Sequence, residues 1–335
     1  MSKLRLLSLF SGIGAFEKAL TNIGVDYELV SFSEIDKFAI NSYCAIHEVN
    51  KMINLNDISK IDIKSLPTDI DMITHGSPCQ SYSISGKQKG GDKGSGTQSS
   101  LMWYTVEIVK HCKPKYIIWE NVKNVLSKKH KHNFEQYVKD LEDIGYTSYY
   151  KVLNAKDFGI PQNRERIYCI SILGEHKPYE FPDENKSSDI LDYINKDVFL
   201  NEYIVNEYFE NQIKNTKFRK DRYIQETKEL INGEVNEFKI MDYRYDEGLR
   251  IRRNNLCPTL KTTGKALSGV PIINNKGKLR FIMPIECWRL MGFDDEDFYK
   301  AANIPTSIAQ LYKQAGNSIV VNVLEEIFKR LLLEN

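Results

Sequence analysis

The chain has 335 residues, enough for one large domain or two smaller ones built on a sizeable core. Apolar residues make up 41% and charged residues 27%, ordinary values for a globular protein, and no apolar run approaches the roughly 18 residues of a membrane span. The net charge of +1 argues, as a sum, against a polyanionic partner, and the N-terminal "MSKLRLLSLFSGIG" lacks the cleavage pattern of a signal peptide.

In chain order, "LRLLSLF" (4–10) is a continuous apolar run that predicts a buried strand, and "AFEKALTNIG" has helical spacing and stops at Gly24. A second strand, "YELVSFSE" (27–34), precedes the helical "DKFAINSYCAIH"; "DIDMITHGS" (69–77) predicts a third strand. "SSLMWYTVEIVKHCKP" opens on serines suited to capping and ends at Pro114. "KYIIWENV" (115–122) is a strand, "NFEQYVKDLEDIGY" an amphipathic helix, and "RIYCISIL" (166–173) a closing strand. Repeated strand–helix units predict an α/β fold whose mainly parallel sheet carries helices on both faces. From about Lys177 to about 280 the rhythm gives way to a smaller module of strands and long connections, and it returns at "MPIECWRLMGF" and "SIAQLYKQAGNSIVVNVLEEIFKRLLL".

The six cysteines, at 44, 79, 112, 169, 257 and 287, include no C-x-x-C pair, so neither a zinc ribbon nor a disulfide framework is expected, and no metal site. Charge is unevenly placed. From Arg250 to Arg280 there are eight basic residues and no acid, and Asn121 to Phe134 carries Lys123, Lys128, Lys129 and Lys131 without one. A solvated face usually mixes both signs; a run of one sign is equally what a polyanion surface needs.

"LFSGIGAF" sets Gly12 and Gly14 where the first strand turns into the first helix, the place where nucleotide-like ligands sit in open parallel sheets. Glu17 stands where a dinucleotide fingerprint has its third glycine, which weakens a pyrophosphate cradle. Glu34, 22 residues after Gly12, is placed for ribose hydroxyls. A glycine turn with a ribose-binding acid suits an adenosine ligand without phosphates, such as S-adenosylmethionine; a tight turn with a surface glutamate explains the same residues equally well.

Cys79 follows the third strand, Glu120 ends "YIIWENV", and Arg164 and Arg166 alternate onto one face in "GIPQNRERIY", so a thiol, a carboxyl and two guanidiniums are expected on the carboxyl rim of the sheet. The 25 residues from Gly76 to Ser100 include 13 Gly or Ser, the composition of a mobile loop able to act as a lid.

The ordered set FSGIG, Glu34, Asp57-Ile58, SPCQ, ENV, QNRER, RLMGF and QAGNS resembles the DNA (cytosine-5) methyltransferase family of bacterial and phage modification enzymes, from Phe10 to Ile319 apart from the basic middle module. PCQ, ENV and QxRxR in this order are highly specific. The resemblance implies a Rossmann-like S-adenosylmethionine-dependent methyltransferase domain (1–177 and 282–335) and a target-recognition domain (178–281). It implies Cys79 as the nucleophile that adds to C6 of a flipped-out cytosine, Glu120 on the N3 edge, and Arg166 with Arg164 at O2. S-adenosyl-L-methionine, leaving as S-adenosyl-L-homocysteine, would be held by Phe10, Gly12, Ile13, Gly14, Glu34, Ile35, Asp57, Ile58, Pro78, Leu101, Asn317, Ser318 and Ile319. The family often has an aromatic residue where Ile35 stands.

Double-stranded DNA would be contacted by Gln80, Ser81, Lys87, Lys89, Arg252, Arg253, Thr259 and Lys261. A monomer in the cytoplasm, acting independently of any cognate restriction endonuclease, is expected. A tRNA cytosine-5 enzyme shares these motifs; a catalytically silent DNA-binding protein is opposed by the intact Cys79, Glu120 and Arg166, and an NAD-dependent oxidoreductase by the incomplete glycine fingerprint.

Overall fold

The computed structural model describes residues 3–82, 89–183, 185–195, 200–205, 207–214, 225, 229, 238–244, 248–262, 271–275 and 278–334. They fall into two compact units, one of Met1–Asn154, Glu165–Asp183 and Val321–Asn335, the other of Ala155–Arg164 and Glu184–Val320. The elements are β1 (Leu4–Leu9), α1 (Ala15–Asn22), β2 (Tyr27–Ser33), α2 (Lys37–His47), β3 (Met72–His75), α3 (Met102–Cys112), β4 (Tyr116–Val122), α4 (Lys131–Glu142), β5 (Tyr146–Asn154), β6 (Gln162–Asn163) and β7 (Glu165–Leu173). There follow α5 (Glu207–Lys214), β8 (Lys239–Arg244), β9 (Gly248–Ile251), β10 (Cys257–Pro258), β11 (Ile272–Asn275), β12 (Lys278–Phe281), α6 (Pro284–Arg289), α7 (Asp295–Ala302), α8 (Ile308–Asn317) and α9 (Val321–Phe328).

The first unit is built on a six-stranded sheet in the order β2-β1-β3-β4-β7-β5. The first four strands run parallel. β7 is antiparallel to β4 and β5 antiparallel to β7, so the sheet is mixed at one edge. Because sheet residues alternate faces, Leu7, Leu9, Ile73, Ile117, Trp119, Ile167 and Cys169 share one side and join residues of α3 and α4 in one core. Their neighbours Leu6, Met72, Ile118 and Ile170 are equally buried on the other side. A strand covered on both faces must be apolar throughout, which is why β1, β3 and β4 read as unbroken apolar runs. α1 packs on α9, with the rings of Phe16 and Phe328 6.4 Å apart. Since β1 lies between β2 and β3, chain direction across the sheet reverses at its carboxyl end, and such a reversal opens a crevice for ligands.

Local expectations are adjusted in two places. The serines before α3 do not cap it: Ser99 and Ser100 lie inside a 3-10 turn, Gln98–Leu101, whose N-cap Thr97 accepts from the Ser100 amide. The strand β5 was not anticipated, and it separates α4 from the QNRER segment.

The second unit contains a four-stranded antiparallel sheet in the order β12-β11-β8-β9, and a short parallel pair of β10 with β6. Residues 282–320 belong to this unit, whereas the sequence grouped them with the first. The indole of Trp288 in α6 donates to the Leu311 carbonyl of α8 at 3.0 Å, and Gln162 donates to the Leu290 carbonyl at 2.8 Å. Among the described residues no helix is long and apolar enough to cross a membrane.

Candidate active site

The turn after β1 depends on backbone that ordinary residues avoid. Gly12 and Gly14 have φ of 57° and 83°, and Phe10 itself has φ 53°. At Gly14 a Cβ would also lie 2.0 Å from His47 Nε2, which is within 3.0 Å of the Ile13 carbonyl. The side chain of Glu34, just past β2, closes the turn: one carboxylate oxygen accepts from the Gly12 amide at 2.9 Å and the other from the amides of Ile35 and Asp36, both at 2.8 Å. Burial pushes this carboxyl above its ordinary value; the three amides oppose the rise and Asp36 adds to it. Four oxygen lone-pair sites set against three amides leave capacity for one more donor.

The other residues assigned to the cofactor in this unit have distinct settings. Phe10 and Leu101 are half-buried against the same core as the buried Ile58. Ile13 is buried, while Ile35 is 70% exposed. Asp57 caps a 3-10 turn by accepting from the Ser59 amide and hydroxyl at 3.0 and 2.7 Å, and those bonds lower its carboxyl below the ordinary value. Tying Asp57 to its own turn fixes the carboxylate in place.

Cys79 stands just beyond β3 and is half-buried. The residues before it are anchored from β4: the Trp119 indole donates to the Ser77 hydroxyl at 2.9 Å, and Asn121 donates to the Ser77 carbonyl at 3.0 Å. Those two residues flank Glu120 in the strand, so the cysteine turn and the carboxyl are carried by one strand end. Ser99 fixes the turn from the other side, donating to the Pro78 carbonyl at 2.8 Å and accepting from the Ser81 amide at 3.1 Å. Ser77, Trp119 and Ser99 had no role in the sequence reading; a hydroxyl and an indole inside otherwise apolar strand ends were the available signal, since buried polar groups require partners.

The described flanks of the loop expected to act as a lid are well tethered. Tyr82 is fully buried and its carbonyl accepts from Asn124, Gly91 accepts from the Trp103 indole at 2.7 Å, and Asp92 accepts from His132 and Asn133 at 2.8 and 2.9 Å. A Cβ on Gly91 would lie 2.0 Å from the Tyr82 hydroxyl, so this glycine serves close packing rather than mobility. Gln80 and Lys89 are exposed and Ser81 half-buried; Lys87 lies outside the described residues.

Glu120 is 8% exposed and forms an ion pair with Arg166, whose Nε is 3.1 Å from its carboxylate. The register explains the meeting: Val122 of β4 faces Arg166 of β7, and Glu120, two residues back, emerges on the same face. Arg164 has a different setting. It precedes β7, belongs to the second unit, and is 4% exposed. It donates to the carbonyls of Ser318 at 2.6 Å, Gly316 at 3.1 Å and Leu260 at 3.4 Å. The two arginines therefore do not form the one-faced pair that their alternation suggested.

Around that clamp the second unit is closely packed. A Cβ on Gly316 would lie 2.2 Å from the Lys261 carbonyl. Ser318 and Ile319 are buried and Asn317 exposed, and the Thr259 hydroxyl donates to the Asn163 carbonyl at 2.7 Å. The basic run is less exposed than its sequence suggested. Arg280 is fully buried against Glu286, and Asp242 pairs with both Arg250 and Arg252. Acids outside the run in sequence neutralise part of it in space. Lys261 is exposed, the Arg253 backbone lies in a 3-10 turn, and Lys265 and Lys276 lie outside the described residues.

Cys79 is half-buried, whereas Cys112, Cys169, Cys257 and Cys287 are buried. Burial pushes the thiols of Cys112 and Cys169 up to about 11 and about 12, and raises Cys257 and Cys287 further. Those four are protonated at neutral pH and inert. No cluster of His, Cys, Asp and Glu able to hold a metal occurs among the described residues.

Comparison with known proteins supports the same grouping. The family model for C-5 cytosine-specific DNA methylases matches residues 4–333. The chain is 34% identical to the orphan methyltransferase M.SPRI of Bacillus phage SPR, covering 99% of this chain and 98% of that protein. It is 35% identical to the type II methyltransferase M2.ScrFI of Lactococcus lactis subsp. cremoris (98% and 99%), and 34% identical to the type II methyltransferase M.HhaI of Haemophilus parahaemolyticus (98% and 94%). Among solved structures, the Entamoeba histolytica methyltransferase EhMeth superposes with a TM-score of 0.75 at 18% identity, covering 100% of this chain and 99% of that one. The S. pombe Dnmt2 methyltransferase gives 0.70 at 20%, covering 99% of both; at such identities the likeness speaks to the fold. The chain belongs to the C-5 cytosine-specific DNA methylase family and is a DNA (cytosine-5) methyltransferase.

Proposed function

We propose that the protein methylates C5 of a cytosine turned out of a specific double-stranded DNA sequence, through a temporary bond between Cys79 and C6. The observation that supports this reading is the anchoring of Ser77, two residues before the half-buried Cys79, by both neighbours of Glu120, which itself pairs with Arg166.

C5 of cytosine is a weak nucleophile, and covalent catalysis divides the difficulty. The Cys79 thiolate adds to C6 and the ring becomes enamine-like. Glu120, on the N3 edge, shares a proton with the ring and so offsets the charge that addition creates. Arg166, held by Glu120, orients O2. After methylation the C5 proton leaves to solvent, the sulfur–C6 bond breaks, and the aromatic ring is restored with the thiolate regenerated. Unstacking the base costs a few kcal/mol, which contacts to the duplex must offset.

S-adenosylmethionine supplies an electrophilic methyl group when bound. The residues present fit it: Phe10 and Leu101 offer apolar surface at the core's edge, Gly12, whose missing side chain would meet nothing within 4 Å, permits close backbone approach, and the remaining acceptor capacity of Glu34 suits a ribose hydroxyl. We assign residues 178–281 to target recognition, and take the enzyme to act as a monomer without needing an endonuclease partner.

DNA carrying 5-fluorocytosine at the target tests the scheme, because fluorine cannot depart as the proton does. A cofactor-dependent adduct mapping to Cys79 by mass spectrometry is expected, together with loss of turnover in Cys79→Ser. Turnover by that variant, or an adduct on another residue, would overturn the nucleophile. Methylation of tRNA but not duplex DNA would overturn the substrate.

A further inference from the structure

The backbone around Cys79 lies beyond the end of β3 at His75, so its polar groups have no strand ladder to join. The Pro78 carbonyl shares a rigid peptide plane with the Cys79 nitrogen, and the Cys79 carbonyl belongs to the next plane along. Ser99 Oγ donates to the first carbonyl at 2.8 Å, and the Tyr82 amide donates to the second at 2.9 Å. With both planes held, φ and ψ of Cys79 are held too, and rotation about χ1 is the freedom left to its sulfur. The same Ser99 hydroxyl accepts from the Ser81 amide at 3.1 Å, inside the turn that the Tyr82 amide closes.

Ser99 is itself firmly seated. It is fully buried in the 3-10 turn Gln98–Leu101, whose cap Thr97 donates to the Gly90 carbonyl at 2.9 Å and accepts from the Ser100 amide at 3.3 Å. A buried hydroxyl needs partners, yet one nearby carbonyl would satisfy it. This one spans the cysteine, with a bond to the residue before it and a bond to the second residue after it.

We propose that Ser99 is a positioning residue for the methylation reaction, its hydroxyl holding the Cys79 backbone in the orientation from which the sulfur reaches C6. The inference rests on the proposed role of Cys79 as nucleophile. Ser99 acts through backbone groups of Pro78 and Ser81, so its loss slows formation of the sulfur–C6 bond and leaves cofactor and duplex binding in place. A reacting atom displaced by about 1 Å costs on the order of a hundredfold in rate.

The probe is a long duplex with 5-fluorocytosine in place of cytosine. It is mixed with S-adenosylmethionine and an excess of the full-length protein, and the Cys79 adduct is timed in a single turnover. In Ser99→Ala, adduct formation is expected to slow about ten- to hundredfold, while the rise in Tm with S-adenosylmethionine and the affinity for duplex remain those of the wild type. Ser99→Thr, which keeps the hydroxyl, is expected to recover most of the rate. Where Ser99→Ala does not fold, Ser99→Cys takes its place, since it keeps a similar shape with a much weaker donor. A rate within about twofold of the wild type in the folded variant would overturn the proposal. So would a slow rate matched by equal losses of cofactor and duplex affinity, or a folded Ser99→Thr as slow as Ser99→Ala. If the wild-type protein itself forms no adduct at Cys79, it is the nucleophile reading that fails.

Discussion

His75 closes β3 four residues before Cys79. It is fully buried, its ring stacks 6.0 Å from Trp119, and Nε2 is 2.9 Å from the Tyr137 hydroxyl. Burial lowers its pKa from 6.5 to about 3, so the imidazole is neutral in the folded protein at every moderate pH. The unfolded chain takes up a proton near pH 6.5 and the folded chain does not. The stability that depends on neutral His75 is therefore complete above pH 6.5 and is lost as pH falls from there toward 3. One proton of difference is worth about 1.4 kcal/mol per pH unit. Between pH 6.5 and 5, His75 is expected to contribute to the unfolding free energy of the wild type a fall that approaches that limiting slope. His75→Phe should flatten the slope by close to one proton, even though it leaves the Tyr137 hydroxyl without its partner. Denaturant titrations at several pH values measure the slope separately from the offset, and an unchanged slope would show that His75 does not titrate on unfolding.

Elements buried on both faces were legible because burial demands continuous apolar residues: β1, β3, β4 and β7 all lie where the runs "LRLLSLF", "DMITH", "YIIWENV" and "RIYCISIL" predict them. The edge strand β5 was not, since only Tyr146 and Leu153 of its nine residues are buried and it gives no such run. Its tyrosines and valine carried the weaker β-propensity signal. Strand direction is absent from any local pattern, so the antiparallel β4–β7 pairing, which brings Arg166 to Glu120, could be known only from the fold. The motif residues were legible, but the groups that hold them, such as Ser77 and Trp119, depend on neighbours remote in sequence. The same limit concealed the fate of Arg280. It donates to both oxygens of Glu286 at 2.9 and 2.7 Å, while Glu286 also accepts from the amides of Asn195 and Met283 at 2.8 and 2.7 Å. Both side chains are fully enclosed, so one carboxylate links β12, the start of α6 and the 190s segment. Removing one partner of such a pair leaves an uncompensated buried charge, at about 3–5 kcal/mol. Glu286→Ala is expected to destabilise the protein by that amount in denaturant unfolding, whereas replacing both Arg280 and Glu286 by methionine should cost less than the single change. A double variant less stable than Glu286→Ala would show that the pair's attraction exceeds its desolvation penalty.

The first unit is assembled from three separate stretches of chain, and the last of them is small. Val321–Asn335 leaves the second unit and returns to α1. Asn22 donates to Glu325 at 2.6 Å, Tyr179 donates to the Ile327 carbonyl at 3.3 Å, and the Phe16 and Phe328 rings face one another. Val321, Val323, Leu324, Ile327, Phe328 and Leu331 are all buried. At about 1.5–3 kcal/mol for each enclosed apolar side chain, these six contribute on the order of 9–18 kcal/mol before the entropy of ordering the helix is set against them. That is comparable with the roughly 5–15 kcal/mol that separates a folded domain from its unfolded chain. The consequence bears on the site, because α1 is entered directly from the Gly12–Gly14 turn. A chain ending at Val320 would leave Phe16 of α1 without the Phe328 ring that faces it. Its first unit is expected to lose cooperative unfolding and protection from proteolysis, while a chain shortened only by Glu334 and Asn335 behaves as the wild type. Phe328→Ala, a milder lesion, should cost about 3–5 kcal/mol, and thermal melts with and without S-adenosylmethionine would report whether the turn survives. If the chain ending at Val320 still melts in one sharp transition and is still raised in Tm by the cofactor, α9 is dispensable packing and the glycine turn is held by β1 and Glu34 alone.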